Sequence, residues 1–468
     1  SITFPTGDNY FERISTAVVG PVDQLYNKDM NNFAPRLGFA WDMFGDSTTS
    51  LRGGYGISYD KIFFNVGANS RFNPPYFGLA QLSPLWGLPP IPDDYPLLGP
   101  GGDIYGGFVG IKVAEPQGFD EFGGPIGQRL SLRVLDPNIR DTYVHNLFLG
   151  IQRELPWEMV LELNAQSTLG KKLGFIGNPN RFNGDTIGWA NEFGDFEGNT
   201  DLNRYHQSFT SFNLRQNRIT SNYFGFNAQL AKRMTEGLSF QFAYTFGHSL
   251  DHNSDVFGSG GNDTGSDIFL SDALNVGLDY GRSNFDVRHR LVSNFLWEIP
   301  YRRDQQGVLG QILGGWQLTG TVPIQSGLPF AAYSTSRGAD YNKDGTYNDR
   351  PDAPSYGYDL GSPTTKDWIA GVMEVDDFGI PEGGYNGTLG KNVYEGPNFW
   401  TVDMGLFKSF AMGFISEESR LQFRAEFFNL FNRVNLYLPT TRLNSTFFGR
   451  SNDSFAPREI QLALKFIF

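Results

Sequence analysis

Cysteine is absent from this chain of 468 residues. Its absence excludes disulfide frameworks, thiolate metal sites and cysteine nucleophiles. Long apolar runs are also missing, because no stretch approaches the ~18 consecutive apolar residues of a membrane-spanning helix. Basic charge is scarce: 37 Lys and Arg stand against 50 Asp and Glu, for a formal net charge of −13. Phosphate binding needs a clustered basic face, so we expect no nucleic-acid partner.

Enzyme signatures are lacking as well. The sequence has no G-x-S-x-G elbow, no G-x-x-x-x-G-K-[ST] phosphate loop and no H-E-x-x-H metal motif. His248 and His252 stand four apart, but the alternation that precedes them predicts a strand, on which they form no helical metal pair. We therefore expect no enzyme, although a hydrolase whose acidic residues lie on different loops stays open.

Glycine and aromatic residues are abundant instead. The chain contains 57 Gly and 43 Phe, and aromatic residues make up 15% of it, whereas ordinary globular chains contain ~7% Gly. The fold class must therefore explain both excesses together.

Strict alternation is the strongest pattern in the sequence, and it is typical of β-strands with two different faces. Between residues 238 and 246 one face is apolar (Leu238, Phe240, Phe242, Tyr244, Phe246) and the other is small or polar (Ser239, Gln241, Ala243, Thr245). Similar alternation recurs at residues 36–43, 51–60, 159–164, 224–230, 400–406, 420–427 and 460–468. We predict about eleven strands, with a twelfth near Phe11–Val19.

The connections between these strands alternate in length. Short or moderate ones follow residues 44, 155, 233, 300 and 411, and long ones cover about 63–140, 170–210, 248–284, 327–397 and 433–455. Outer-membrane barrels have short periplasmic turns and long extracellular loops. The pattern therefore predicts an all-β fold: a transmembrane antiparallel β-barrel, located in the outer membrane, with a polar lumen.

Tryptophans on or beside the predicted strands suit an aromatic girdle at the membrane interfaces. They are Trp41, Trp157, Trp297, Trp316 and Trp400. The alternative interpretation is core packing in a soluble β protein.

Several segments resemble the C-terminal barrel portion of TonB-dependent outer-membrane receptors, particularly the Oar-like group. The segments that carry the resemblance are NNFAPRLGFAWDMFGD, TSLRGGYGISYDKIFF, FDVRHRLVSNFLWEIP, GWQLTGTVPIQSGLPF, FWTVDMGLFKSF, RLQFRAEFFNLFNRVNL and REIQLALKFIF. They are distributed from about Asn31 to Phe468.

This resemblance implies a barrel of 22 strands, of which about twelve are expected in residues 1–468, without the plug domain of the family. The chain is then the C-terminal part of such a barrel, or a smaller barrel that closes by itself. The implied function is uptake of a scarce nutrient. The implied partners are the lipid bilayer, TonB acting through the plug, an unidentified nutrient, and the assembly machinery that reads a last strand ending in Phe468. The alternative is a structural or adhesive surface barrel with calcium-stiffened loops.

The segment DYNKDGTYNDRPD begins like an EF-hand calcium loop. Asp340, Asn342 and Asp344 occupy positions 1, 3 and 5, and Gly345 permits the sharp turn. Position 12 is Pro351 instead of Glu, so Asp349 or Asp352 would have to supply the missing carboxylate. The candidate metal ligands are Asp340, Asn342, Asp344, Thr346, Asn348 and Asp352. The alternative is a solvated acidic turn.

Overall fold

The structure is a computed structural model that describes residues 2–3, 10–20, 22–62, 67–73, 118–124, 126, 130–181, 204–254, 270–334, 340–342, 344, 349–412 and 419–468. Most of the described regular structure is β-strand, with a few short helices.

Eleven strands of the described chain form one continuous antiparallel path. Their bounds are β1 Arg36–Asp42, β2 Thr49–Asp60, β3 Thr142–Leu155, β4 Met159–Gly177, β5 Phe209–Thr235, β6 Leu238–Asp251, β7 His289–Glu298, β8 Trp316–Gln325, β9 Asp403–Ala411, β10 Arg420–Phe428 and β11 Glu459–Ile467. Each strand pairs with the next one along the chain, so β1 and β11 lie at the two edges of the described sheet.

The connections at the two ends of this sheet differ in length, as the sequence predicts. The β1–β2, β3–β4, β5–β6, β7–β8 and β9–β10 connections are short or moderate and share one end, here called the turn end. The connections at the other end, here called the loop end, are long: residues 61–141, 178–208, 252–288, 326–402 and 429–458. The predicted alternation of short turns and long loops is therefore confirmed.

Strand register gives the sheet one apolar and one polar face, because directly paired residues of antiparallel strands share a face. One row across β6 to β11 is apolar throughout: Leu238, Trp297, Leu318, Leu406, Ala425 and Leu462. A row on the opposite face, across β6 to β2, is polar or small: Thr245, Asn227, Asn164, Gly150 and Arg52. These are called the apolar face and the polar face below.

Large side chains on the apolar face are exposed. Phe39, Phe242 and Leu464 keep 53%, 45% and 70% of their surface accessible. Burial of such side chains is a main source of folding free energy in water. The observed exposure contradicts the interpretation as the core of a soluble β protein and requires an apolar surrounding medium.

Two strands are much longer than the ten or so residues that cross a membrane band. β4 has 19 residues and β5 has 27. The sequence pattern missed this extension because the added residues, such as Phe212 and Ile219, are buried among connections and follow no simple alternation.

The predicted twelfth strand near Phe11–Val19 is wrong for most of its length. Residues Tyr10–Ser15 form helix α1, and only Val18–Val19 pair as a strand, with Ile2–Thr3. Ile14 in the helix and Ala17 just beyond it are both buried and pack against neighbouring connections.

Smaller elements lie in the connections. Residues Leu130–Leu135 pair in parallel with β5, Gly281–Arg282 with β6, Phe399–Trp400 with β8, and Pro329–Phe330 with Tyr394–Glu395. The remaining helices are α2 Gly307–Leu313, α3 Thr365–Ala370 and the 3-10 turns Asn69–Phe72, Val276–Asp279 and Val375–Asp377. In the described part of the chain, every helix is too short or too polar to cross a membrane.

The buried apolar clusters lie among the long connections and the loop-end parts of the strands. The largest joins the 326–402 and 429–458 connections and includes Phe330, Trp368, Tyr394 and Phe448. A second joins α1 to Leu132 and Phe212, and a third joins Phe175 to Leu270. The described parts of the long connections therefore form a packed body, here called the loop cap.

Candidate functional site

Buried hydrogen bonds join three of the long connections within the loop cap. Asn178 donates through Nδ2 to the carbonyl oxygen of Asp344 at 2.8 Å. Arg181 bonds to two of the other connections, with Nη1 3.0 Å from Oδ1 of Asp272 and Nη2 2.6 Å from the carbonyl oxygen of Asn342. The 178–208, 252–288 and 326–402 connections are thus held together by polar contacts as well as by apolar packing.

The ion pair between Arg350 and Asp279 lies at the centre of these contacts. Nη1 of Arg350 lies 2.6 Å from Oδ1 of Asp279, and both side chains are buried. The guanidinium also donates to Ser271 Oγ at 3.0 Å and to the carbonyl oxygens of Leu278 and Leu389 at 2.8 Å each. Burial opposes the charged form of Arg350, but the Asp279 carboxylate outweighs it and raises the pKa of Arg350 above its usual value. The arginine is therefore a fully bonded cation.

A second buried ion pair joins the 326–402 connection to the end of β6. Lys391 donates through Nζ to Oδ1 of Asp251, and both side chains are buried. Burial lowers the pKa of the Lys391 ammonium, and the Asp251 carboxylate opposes this effect. The pair anchors the cap to the wall.

The two neighbouring histidines have separate partners. His248 Nδ1 lies 3.3 Å from Oδ2 of Asp286, whereas His252 Nδ1 lies 3.1 Å from the carbonyl oxygen of Thr220. Nothing in these contacts brings the two imidazoles onto one ligand.

Four oxygen-bearing side chains of the calcium-like segment are buried close together in the cap. Asp340, Asn342, Asp344 and Asp349 each keep 3% of their surface or less. Asp344 donates its backbone N–H to Oδ1 of Asp340 and to Oδ1 of Asn342, both at 2.9 Å. The backbone N–H of Asn342 donates to Oδ2 of Asp349 at 3.1 Å. The segment therefore closes on itself, with carboxylates turned into the protein.

Asp349 has an electrostatic environment that disfavours its charge. Burial, followed by the neighbouring Asp344 and Asp340 carboxylates, raises the pKa of Asp349 well above its usual value. Its Oδ1 atom is buried and has no hydrogen-bond partner among the residues that the structure describes. A buried carboxylate oxygen without a donor carries a free-energy cost that a proton or a cation would remove.

The remaining candidate ligands have different positions. Thr346 and Asn348 lie outside the described residues. Asp352 accepts the backbone N–H of Thr388 on its Oδ1 atom at 3.0 Å, and its own backbone N–H donates to Gly379 at 2.9 Å. Within the described ranges, no three His, Cys, Asp or Glu side chains are arranged to hold a metal ion.

A cavity of about 550 Å³ opens between the 326–402 and 429–458 connections. Its lining includes Trp368, Glu395, Asn398 and Arg433. The Arg433 guanidinium lies 4.8 Å from the centre of the Trp400 ring. The cavity thus combines both signs of charge, an amide and an aromatic surface, which is the chemistry of a site for a polar small molecule.

Sequence reasoning identified the acidic segment but missed the ion pairs that surround it. Arg350 and Asp279 are 71 residues apart, and Lys391 and Asp251 are 140 apart. Residue spacing within a short segment cannot predict an ion pair whose partners are so far apart in the sequence. A useful signal was the presence of Arg and Lys in connections otherwise rich in Asp and Asn.

Comparisons with known proteins point to one family. Residues 4–461 match the family model described as an outer membrane beta barrel domain. A search of curated proteins finds no match.

Solved structures are similar to the chain at low identity. The outer membrane transporter YddB from Escherichia coli has a TM-score of 0.47 at 11% identity, over 92% of this chain and 40% of that one. The ferripyoverdine receptor of Pseudomonas aeruginosa has a TM-score of 0.39 at 12% identity, over 93% of this chain and 33% of that one. The ferric-catecholate import receptor Fiu from Escherichia coli K12 has a TM-score of 0.37 at 10% identity, over 92% of this chain and 34% of that one. The chain spans 33–40% of the length of these three proteins.

Proposed function

This chain belongs to the family of outer membrane beta barrel domains, and we propose that it forms the wall and capture surface of a TonB-dependent receptor of the Oar-like group. Its function is then the uptake of a scarce nutrient. TonB, acting through a plug, and the assembly machinery, acting on the strand next to Phe468, are partners within the same proposal.

The observation that carries this proposal is the separation of the two faces across all eleven strands. In an outer-membrane barrel the apolar face meets lipid and the polar face lines the lumen. The polar face carries charges of both signs, including Arg52, Glu162 and Glu426. A lumen of this kind suits the passage of a polar solute.

The loop cap supports a role in capture. Its described residues pack around apolar clusters and buried ion pairs, which favours a capture surface that is shaped before a ligand arrives. The cavity that Trp368 and Arg433 line has about 550 Å³, within the range of small-molecule sites. We therefore propose this cavity as the first contact of the nutrient.

Uptake in the source bacterium tests the proposal. A strain without the gene and its parent would be given a panel of ferric chelates, cobalamin and oligosaccharides, with cellular content measured by mass spectrometry. We expect the deletion to reduce uptake of at least one compound strongly, and an uncoupler of the proton gradient to have the same effect in the parent. Unchanged uptake of the whole panel, with loss of cell–cell aggregation, would instead favour the structural or adhesive barrel.

A second candidate function, calcium stiffening of the loop cap, is favoured by the buried Oδ1 atom of Asp349. We propose that Ca²⁺ binds through Asp340, Asn342, Asp344 and Asp349 and draws their oxygens together around it. Arg350, the adjacent cation, is already bonded to Asp279, which leaves the Asp349 oxygen for a metal. In this proposal Asp352 is a further ligand at the edge of the site. Thr346 and Asn348 are ligands predicted from the sequence alone.

Isothermal titration of the purified protein with CaCl₂ tests this second function. The matched variants are Asp349→Asn and Asp352→Asn, which remove one charge each from neighbouring positions. We expect binding heat in the unsubstituted protein, its loss in Asp349→Asn, and weaker but measurable binding in Asp352→Asn. An unsubstituted protein without calcium heat would show that the cluster is only a protonated acidic turn.

A further inference from the structure

The β7–β8 connection, residues 299–315, exposes a stripe of apolar side chains. Helix α2 places Val308, Leu309, Ile312 and Leu313 on this stripe, with exposures of 77%, 59%, 56% and 43%. Their spacing of one, three and one residues puts them on one side of the helix. A contiguous apolar surface of this kind marks a contact with lipid or with another protein.

Two hydrogen bonds fix α2 against the apolar face of the sheet. Trp316, which lies on that face, donates through Nε1 to the carbonyl oxygen of Ile312 at 3.1 Å. Lys408, its paired neighbour on β9, donates through Nζ to the carbonyl oxygen of Gly314. The connection therefore lies on the lipid side of the wall and not beneath the lumen.

Lys408 is a charged residue in an otherwise apolar row of the apolar face. Its paired neighbours are Trp316 and Phe423, and the next residue on its face towards the turn is Phe410. Its exposure is only 1%, and its ammonium lies 4.8 Å from the centre of the Phe410 ring. The α2 connection covers this cation on the side from which lipid would approach.

Aromatic and basic residues surround α2 at the turn end. Trp297 and Tyr301 are exposed there, and the Arg302 guanidinium lies 5.9 Å from the centre of the Tyr301 ring. Aromatic rings and arginine are the residues that membrane–water interfaces favour. The stripe on α2 thus lies beside residues of the kind that membrane–water interfaces favour.

We propose that α2 inserts its apolar stripe into the periplasmic leaflet of the outer membrane, at the boundary between headgroups and acyl chains, where it also shields Lys408 from lipid. The occupant of this surface is lipid. The inference depends on the location of the barrel in the membrane and not on what the barrel transports.

Cysteine labelling tests the proposal, because the chain contains no cysteine of its own. Val308→Cys and Ile312→Cys each receive one environment-sensitive fluorophore, and Asp304→Cys, an exposed polar position of the same connection, is the matched control. The full-length protein is reconstituted into phosphatidylcholine vesicles with and without lipid that carries a nitroxide near the headgroup. Heat-modifiable gel migration verifies folding, and Leu309→Cys replaces a variant that fails it.

We expect nitroxide lipid to reduce emission at positions 308 and 312 at least about twofold, with little change at position 304. Aqueous iodide should quench in the opposite order. Equal iodide quenching at all three positions would overturn the proposal, and so would quenching at 308 and 312 that only an added periplasmic extract relieves, since the stripe would then face a protein partner.

Discussion

The ring of Phe295 on β7 lies over the backbone of Gly320, its directly paired neighbour on β8, on the apolar face. A carbon atom added at Gly320 would lie 2.8 Å from Cζ of Phe295 and closer still to Cε1. The same relationship joins Phe39 to Gly53 across β1 and β2. Glycine in these strands therefore provides room for a ring that covers the opposite backbone.

Substitution of Gly320 should consequently destabilise the sheet, although valine favours strands elsewhere. We expect Gly320→Val to lower the free energy of unfolding by about 1–3 kcal/mol, as measured by urea unfolding of the reconstituted protein. In a Phe295→Ala background the same substitution should be neutral or stabilising. Equal losses in both backgrounds would mean that the ring is not responsible.

A pair of adjacent residues tests which face meets lipid. Arginine at Phe242, on the apolar face, should cost about 2–4 kcal/mol if the side chain is near the bilayer midplane. Arginine at Gln241, on the polar face, should be tolerated. Folding into vesicles, followed by heat-modifiable migration and urea titration, measures both variants, and equal tolerance would contradict the assignment of the faces.

The buried pair of Arg350 and Asp279 should hold the loop cap closed. Asp279→Asn leaves the arginine charge buried without its counter-ion, and we expect a loss of about 3–5 kcal/mol in the local stability of the cap. Hydrogen exchange of residues 270–282 and 349–352 measures this loss. The double variant Asp279→Leu with Arg350→Met should recover much of it, because no buried charge then remains.

Stability of the cap should also depend on pH through Asp349. Its pKa is raised in the folded protein, so its contribution is fully present below the unfolded pKa of about 3.9 and is lost as pH rises through the folded pKa. In calcium-free buffer we therefore expect the protection of residues 340–342 and 349–352 against exchange, expressed relative to the base-catalysed intrinsic rate at each pH, to decrease from pH 4 towards neutral pH. Asp349→Asn should remove most of this dependence.

Calcium should oppose the same loss, since a bound cation stabilises the charged form of the carboxylates. The matched measurement repeats the exchange series at neutral pH with millimolar CaCl₂. Protection in the unsubstituted protein but not in Asp349→Asn is the expected result. Identical protection in both would place the calcium elsewhere.

Much of the wall could be predicted from the sequence because each strand residue faces one of two different media. Alternation at residues 238–246 depends only on that local choice, and the structure keeps every one of those residues on its predicted face. The alternating lengths of the connections follow from the same constraint, since consecutive antiparallel strands return to the same end. Neither feature requires knowledge of distant contacts.

The cap and the exceptions in the wall could not be predicted in this way. Lys408 breaks the apolar row, and its cover comes from Gly314, 94 residues earlier in the chain. The interior of the cap is fixed by contacts of similar reach, such as that between the rings of Phe378 and Phe448, whose centres lie 5.6 Å apart. Such contacts have no period, so the glycine-rich and asparagine-rich connections resemble exposed loops until they are folded.

The length of β5 determines how far the wall extends beyond the bilayer. Twenty-seven residues at ~3.3 Å each measure roughly 89 Å, more than three times the ~25 Å height of the apolar band. The part of β5 before Ser221 pairs with β4 and with the Leu130–Leu135 segment, beyond the reach of β6, so these strands extend the wall well clear of the bilayer. A molecule that approaches from the loop end therefore meets protein well before it reaches the level of the membrane surface.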